Sequence, residues 1–167
     1  MKFSFQTIDG KWKKDAFDCG NEDLNIYLKK YARQNHEKDI SNTIIATNEH
    51  ENVILGYYTT SMSEIEFLSL PPEFRKHLPR YPAPVMRIGK LAVDKTMQGK
   101  GLGGELLVHA LQKAAEISKQ VGVYGVIVDA KDETAVGFYE KYGFVLLQDS
   151  LTLIIKLTTI RQAFGIS

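Results

Sequence analysis

Hydrophobic and polar positions follow two periods along this chain, and each change of period marks an element. Phe3-Ser4-Phe5-Gln6-Thr7-Ile8 alternates and is closed by Asp9-Gly10, which predicts an opening strand. Leu24, Tyr27, Leu28 and Tyr31 then recur at helical spacing behind Asn21, an N-cap type, with Glu22 and Asp23 in the first turn. Lys29, Lys30 and Arg33 fall on the opposite face of that helix. Residues 43–47 and 53–62 read as paired strands around the turn-prone residues 48–52. Pro71-Pro72 opens a short helix that reaches Leu78 and is stopped by Pro79. The prolines of residues 78–84 predict an extended connection without regular structure.

Residues 86–94 form an apolar strand-like run, and Leu102, Leu106, Leu107, Ala110, Leu111, Ala114 and Ala115 mark a long amphipathic helix after it. Residues 123–129 are almost continuously apolar, the pattern of a strand buried on both faces. Asp132 caps a short helix on which Ala135, Phe138, Tyr139 and Tyr142 share one side, and Gly143 ends it. Residues 144–147 and 151–157 close the chain as a strand pair. The order β, α, β, β, α, β, α, β, α, β, β predicts an α/β fold with a mixed sheet covered by helices.

The seam between the run at 86–94 and the long helix is Gln98-Gly99-Lys100-Gly101-Leu102-Gly103, followed by Gly104. Glycines in the first turn let backbone approach a ligand without Cβ clashes, and the unpaired N–H groups of a helix start lie at the positive end of its dipole. Such a place suits a pyrophosphate. A Walker loop would require Ser or Thr after Gly-Lys, whereas Gly101 follows Lys100. A dinucleotide fingerprint would require an acidic partner about twenty residues on, which the segment near residues 123–129 supplies only loosely. On the loop alone, a tight glycine turn before a surface helix stands as an equal alternative.

At 167 residues and 44% hydrophobic content the chain has material for one core, and no compositional shift marks a second domain, so a single domain over residues 1–167 is expected. The N-terminal residues lack the apolar core of a signal peptide and no run is long enough to span a membrane, which points to the cytoplasm. One cysteine, Cys19, forms no internal disulfide and reads as a small buried residue. His36, His50, His77 and His109 lack ligand spacing, so no metal is expected. The net charge of +1 hides an asymmetry. Residues 41–70 hold four glutamates and no Lys or Arg, a net of −4, whereas residues 71–100 hold seven cations against two carboxylates, a net of +5. The basic excess surrounds the glycine loop and suits a phosphorylated ligand, with some cations left for a second polyanion.

A strand, then Gln-x-x-Gly-x-Gly, a helix, an apolar strand and a helix ending Phe138-Tyr139-Glu140-Lys141-Tyr142-Gly143-Phe144 resembles the GNAT family of acetyl-CoA-dependent N-acetyltransferases. Phe17-Asp18-Cys19-Gly20-Asn21, Leu24, Tyr27-Leu28, Leu55-Gly56-Tyr57-Tyr58-Thr59, Leu78-Pro79-Arg80-Tyr81-Pro82 and Gly89-Lys90-Leu91-Ala92-Val93-Asp94 are similar to the branch that contains toxins of bacterial toxin-antitoxin pairs. The resemblance implies the GNAT fold, a central, mostly antiparallel mixed sheet with helices on both faces. It further implies acetyl-CoA as co-substrate, aminoacyl-tRNA as the substrate whose α-amine is acetylated to block translation, a neutralising partner that is often a ribbon-helix-helix antitoxin, and a homodimer.

By the same resemblance Leu91, Ala92 and Val93 supply backbone contacts to the acetyl carbonyl and pantetheine, and Gln98, Gly99, Lys100, Gly101, Leu102, Gly103 and Gly104 form the pyrophosphate loop. Tyr139 matches the tyrosine that protonates the departing thiolate; with an ordinary pKa near 10 it stays protonated at neutral pH. Tyr139 also reads as a core aromatic beside Phe138. Gln98 stands where many members carry Arg, which removes a charge and keeps the backbone cradle. Asp132 stands where many carry Asn; an ionised Asp accepts but does not donate.

The implied reaction is direct: the amine attacks the thioester carbonyl, strand amides stabilise the oxyanion and Tyr139 protonates the sulfur. An α-amine near pKa 8 is partly free at pH 7, so a strong base is dispensable. Glu64 and Glu66 are candidates for a water relay, but alternation is expected to leave one of them a solvent-facing charge. Lys29, Lys30, Arg33, Arg75, Lys76, Arg80 and Arg87 are the candidate phosphate contacts for tRNA. Two other functions fit the same cofactor site: acetylation of a small-molecule amine or protein N-terminus, and non-catalytic sensing of acetyl-CoA.

Overall fold

The computed structural model describes residues 3–48, 50–148 and 150–166; Glu49, within the expected turn at 48–52, lies outside the described residues. In chain order the elements are β1 (Ser4–Thr7), α1 (Glu22–Ile26), a π-helical turn (Tyr27–Tyr31), α2 (Ala32–Glu37), β2 (Asn42–Asn48), β3 (Val53–Ile65), a 3-10 turn (Phe67–Ser69), α3 (Pro72–Arg75), β4 (Ala83–Val93), a 3-10 turn (Lys95–Met97), α4 (Leu102–Ile117), β5 (Gly125–Asp129), α5 (Glu133–Glu140), β6 (Val145–Leu146), β7 (Thr152–Lys156) and α6 (Leu157–Phe164). Strand order is β1-β2-β3-β4-β5-β7-β6. β1–β2, β2–β3, β5–β7 and β6–β7 pair antiparallel, while β4 and β5 pair parallel because α4 carries the chain back between them. The expected mixed, largely antiparallel sheet is therefore present.

The chain divides into two compact units: residues up to Ser61 with Gly89–Ala110, and Met62–Ile88 with Leu111 onward. In the first, Leu28, Ala32, Ile45, Ile54, Tyr57 and Ala92 pack with Trp12 and Phe17. Asn21 caps α1 as expected, its side chain accepting from the Leu24 N–H. Tyr31, expected on the buried face, is half exposed. The π turn inserts one extra residue into the helical register, so that Ala32, four positions after Leu28, takes the buried place.

In the second unit Ile65, Leu70, Val85, Ile127, Leu147 and Ile154 form the core. Gly125 is required by close approach: a Cβ there would stand 2.5 Å from the Ile155 carbonyl oxygen across the β5–β7 pair. Here the structure corrects several boundaries. β4 begins at Ala83, inside the proline-rich stretch, because Pro84 needs no donor of its own there while its carbonyl accepts the Tyr124 N–H at 2.7 Å. α3 is a single turn that stops at Arg75, well short of Leu78. The closing strand ends at Lys156, and the unforeseen helix α6 follows, burying Leu157 and Ile160 and ending at Gly165 in a left-handed conformation. Among the described residues no helix is long and apolar enough to cross a membrane.

Candidate functional site

The glycine loop is held from behind by hydrogen bonds to a segment remote in sequence. Asp94 starts the 3-10 turn by accepting from the Thr96 N–H at 3.0 Å and hydroxyl at 2.7 Å, and its other oxygen accepts the Asp18 N–H at 2.9 Å. The Lys95 N–H returns a bond to the Asp18 carbonyl at 2.8 Å. Gln98 turns its side-chain amide inward, donating at 2.9 Å to the carbonyls of both Cys19 and Val93. Behind Cys19 stands buried Asn25, which accepts the Cys19 N–H at 2.9 Å and donates to the Asp18 carboxylate at 3.0 Å. The Gly20 N–H, the Asn25 amide and Lys95, in that order, hold the Asp18 carboxyl below the usual range. The Phe17–Asn21 motif therefore serves a physical purpose, which is to brace the loop. Sequence reasoning missed Asp18 and Asn25 as bracing residues, because the bonds that join their segment to the loop, from the Asp18 N–H to Asp94 and from Gln98 to the Cys19 carbonyl, span 76 and 79 residues.

With that backing, Gly99 and Gly101 adopt φ of +77° and +88°, and a Cβ on either would meet nothing within 4 Å. The open side of the loop is therefore a cradle that side chains would fill. Helix α4 begins at Leu102, and the Glu105 N–H reaches back to the Gly101 carbonyl at 3.1 Å. The N–H groups of Leu102, Gly103 and Gly104 precede any helical acceptor and favour an anion. Buried Leu102, Leu106 and Leu107 fix the helix start. On β4, Ala92 is buried, Leu91 and Val93 are half buried, and the Val93 carbonyl is taken by Gln98. The cradle fits a pyrophosphate, and it lies wholly within the first unit.

Tyr139 lies in the second unit, on α5 behind the cap that Asp132 makes with the Ala135 N–H at 2.9 Å. That bond occupies one Asp132 oxygen in helix capping. Tyr139 is buried, with edge contacts to Phe138 at 5.2 Å and Phe144 at 5.6 Å. Burial first, and the negative charge of Asp129 second, push its pKa up to about 12. Asp129 is in turn ion-paired with Arg87 and accepts from the Thr152 hydroxyl at 3.1 Å.

The seven candidate tRNA cations divide three and four between the units. In the first, Lys29 is half buried, Lys30 is exposed, and Arg33 pairs with Glu37 at 2.9 Å. In the second, Arg75 donates to the Leu70 and Leu68 carbonyls at 2.8 and 3.1 Å, and Arg87 is held by Asp129, which leaves Lys76 and Arg80 exposed. An open groove of about 960 Å³ in this unit is lined by Glu64, Glu66, Arg87, Val145 and Thr152 among others. Glu64 and Glu66 are both exposed, on either side of buried Ile65. The expectation that alternation separates them is corrected, because a period of two places i and i+2 together.

The family model of the acetyltransferase (GNAT) domain matches residues 39–146. A tRNA-acetylating toxin of Mycobacterium tuberculosis (strain ATCC 25618 / H37Rv) is 28% identical over 151 residues, 90% of this chain and 89% of the toxin. The solved structure of AtaT complexed with acetyl-methionyl-tRNAfMet is similar over 98% of this chain and 99% of that one, with TM-score 0.91 and 31% identity. A tyrosine-to-phenylalanine variant of the AtaT toxin, bound to the C-terminus of the antitoxin AtaR and acetyl-CoA, is similar over 97% of this chain and 98% of that one, with TM-score 0.84 and 28% identity. A glycine cradle at the start of α4, a buried tyrosine on α5 and this match over most of the chain agree: the chain belongs to the GNAT acetyltransferase family.

Proposed function

We propose that the protein is a toxin that acetylates the α-amine of aminoacyl-tRNA, with acetyl-CoA as donor, and so blocks translation. The observation that carries this reading is the likeness, over 98% of the chain and at 31% identity, to AtaT holding acetyl-methionyl-tRNA. A thioester bound as acetyl-CoA supplies the activated acyl group. The N–H groups of residues 102–104 and the open cradle at Gly99 and Gly101 hold the pyrophosphate. Backbone groups of Leu91, Ala92 and Val93 orient the acyl arm and stabilise the oxyanion. Tyr139, neutral throughout the physiological range, donates its hydroxyl proton to the departing sulfur; the attacking nitrogen gives its own proton to water, and water returns one to the tyrosinate.

The acceptor's chemistry agrees with the lack of an assigned base. A lysine amine near pKa 10.4 would need one at pH 7, whereas an α-amine near 8 is already partly free. Lys29, Lys30, Lys76 and Arg80 are the best placed of the seven cations to meet phosphates, because Arg33, Arg75 and Arg87 are engaged within the fold. The toxin-branch motifs support a ribbon-helix-helix antitoxin as partner, a homodimer and a cytoplasmic location, where charged tRNA is found.

The test is induced expression of wild type and Tyr139→Phe in a bacterium, with mass spectrometry of charged tRNA. Growth arrest and N-acetyl-aminoacyl-tRNA with wild type only are expected. Unmodified tRNA, together with turnover of a small amine or peptide N-terminus, would overturn the acceptor and leave the acetyltransferase standing.

A further inference from the structure

An aromatic ladder runs from the core of the first unit to its surface. Phe17 meets Tyr57 edge-on at 5.8 Å, Tyr57 stacks with Tyr27 at 6.3 Å and 15°, and Tyr27 meets Tyr31 at 6.5 Å with the rings tilted by 38°. Its inner rungs are fixed by hydrogen bonds. The Tyr57 hydroxyl donates to the Leu24 carbonyl at 2.7 Å, and the Tyr27 hydroxyl is shared with Ser41 at 3.0 Å and accepts from Asn35 at 3.2 Å. The outer rung, Tyr31, is 50% exposed. It is outside because of the π turn, which gives the buried place to Ala32; π insertions weaken a helix and recur at functional sites.

One cation lies on the ladder and two precede its outer ring in sequence. The Lys90 ammonium lies 4.2 Å from the centre of the Tyr27 ring, and exposed Lys30 and half-buried Lys29 precede Tyr31 on the same turn. On the same helical stretch the Glu37 carboxylate is taken by Arg33. A single exposed aromatic is unremarkable on a protein surface. A half-exposed ring in contact with a fixed aromatic cluster, with Lys29 and Lys30 beside it in sequence, is the composition of a single-strand nucleic-acid platform. An apolar protein partner would leave those ammonium groups to be desolvated unpaired, whereas phosphates complement them.

We propose that Tyr31 is a stacking platform for an unpaired nucleobase of RNA, with Lys30 and Lys90 meeting the phosphates on either side. The proposal rests on the aminoacyl-tRNA reading above, whose substrate carries its amino acid on an unpaired 3′ end. A planar base would extend the ladder by one rung, and the ring face, not the hydroxyl, would supply the contact.

The test uses the full chain and measures binding of uncharged tRNA across a salt series, together with KM and kcat for aminoacyl-tRNA. Tyr31→Ala is expected to weaken binding roughly 5- to 150-fold, the effect of one base stacked on an aromatic side chain, with the salt slope unchanged. Tyr31→Phe and Tyr31→Trp are expected to bind as wild type, and Tyr31→Leu, which keeps apolar bulk without a π face, as Tyr31→Ala. Lys30→Gln should lower the slope of log K against log salt by about 0.7 to 0.9. Equal melting temperatures exclude misfolding. If wild type acetylates aminoacyl-tRNA and Tyr31→Ala binds as tightly, or Tyr31→Phe binds as weakly as Tyr31→Ala, the platform is refuted while the function stands. If wild type neither binds nor modifies tRNA, the functional reading itself falls and the platform with it.

Discussion

The side-chain amide of Gln98 donates to the backbone carbonyl of Cys19 at 2.9 Å, joining positions 79 residues apart, and donates again to Val93 at 2.9 Å. Gln98 thus ties the start of the glycine loop both to β4 and to the Phe17–Asn21 motif. Its side chain is occupied in shaping the loop, and ligand contact is left to the backbone beyond it.

Loss of this tie should loosen the cradle before it harms the chemistry. Two neutral hydrogen bonds contribute about 1 kcal/mol each, so Gln98→Ala is expected to raise the KM for acetyl-CoA roughly 5- to 100-fold with kcat nearly unchanged. Gln98→Glu, similar in size but ionised, presents a carboxylate to two carbonyls and should do no better. Gln98→Arg retains donors and should recover part of the loss. Steady-state release of free thiol measures each, and an unaltered KM in Gln98→Ala would show that the loop needs no such tie.

Glycine substitutions separate strain from collision. At Gly99 and Gly101 a Cβ meets open space, so Ala there carries only the left-handed backbone penalty, about 1 to 2 kcal/mol, and intrudes on the cradle. Gly125→Ala sets a Cβ 2.5 Å from the Ile155 oxygen and must force β5 from β7. Gly101→Ala should therefore lower the melting temperature modestly and raise the KM for acetyl-CoA, and Gly125→Ala should lower the melting temperature far more. Equal melting losses would contradict the contact geometry.

What the sequence disclosed follows from the range of the forces involved. Helix α4, the capped α5 and the glycine loop are local patterns, set within a few residues by Leu102, Leu106, Asp132 and Gly101, and they stand where expected. The brace that joins the Asp18–Cys19 backbone to Asp94 and Gln98 depends on contacts that only the folded chain creates, and no periodicity announces it. Tyr31 shows a different failure. Its spacing from Leu24, Tyr27 and Leu28 assumes 3.6 residues per turn, an assumption the π turn breaks. Helix α6 escapes notice because Leu157 reads as the end of a strand, although Leu157, Ile160 and Phe164 carry helical spacing of their own.

Replacement of Tyr139 by Phe removes one hydroxyl and keeps the packing on Phe138 and Phe144. A lost proton donor lowers kcat by roughly 10²- to 10⁴-fold, with KM for acetyl-CoA and melting temperature little changed. Because burial and Asp129 raise the Tyr139 pKa to about 12, the wild-type rate should climb with pH as the acceptor amine deprotonates and show no falling limb through about pH 10, where an ordinary tyrosine ionises. A rate that drops between about pH 9 and 10 in wild type while the protein stays folded would mean that burial and Asp129 do not hold the Tyr139 hydroxyl protonated beyond the ordinary tyrosine range.

The same burial governs alkaline stability. Tyr57 and Tyr58 on β3 are fully buried, and desolvation pushes both hydroxyls far above their ordinary range; nearby Cys19 and Tyr27 add to the effect at Tyr57. Tyr139 shares the direction. In the unfolded chain all three ionise near pH 10. The folded pKa values are the higher ones, so the stabilisation is complete below about pH 10 and declines as pH rises toward the folded values, because the unfolded state then binds fewer protons. Each tyrosine adds one proton to that slope, about 1.4 kcal/mol per pH unit. Melting temperature should hold steady from neutrality to about pH 9.5 and then fall steeply, with the tyrosinate absorbance of Tyr57, Tyr58 and Tyr139 appearing only on unfolding. In Tyr139→Phe the fall should be shallower by one proton. If Tyr139→Phe removed one tyrosine's share of the folded protein's tyrosinate absorbance near pH 10, the Tyr139 hydroxyl would reach solvent and burial would not hold it protonated.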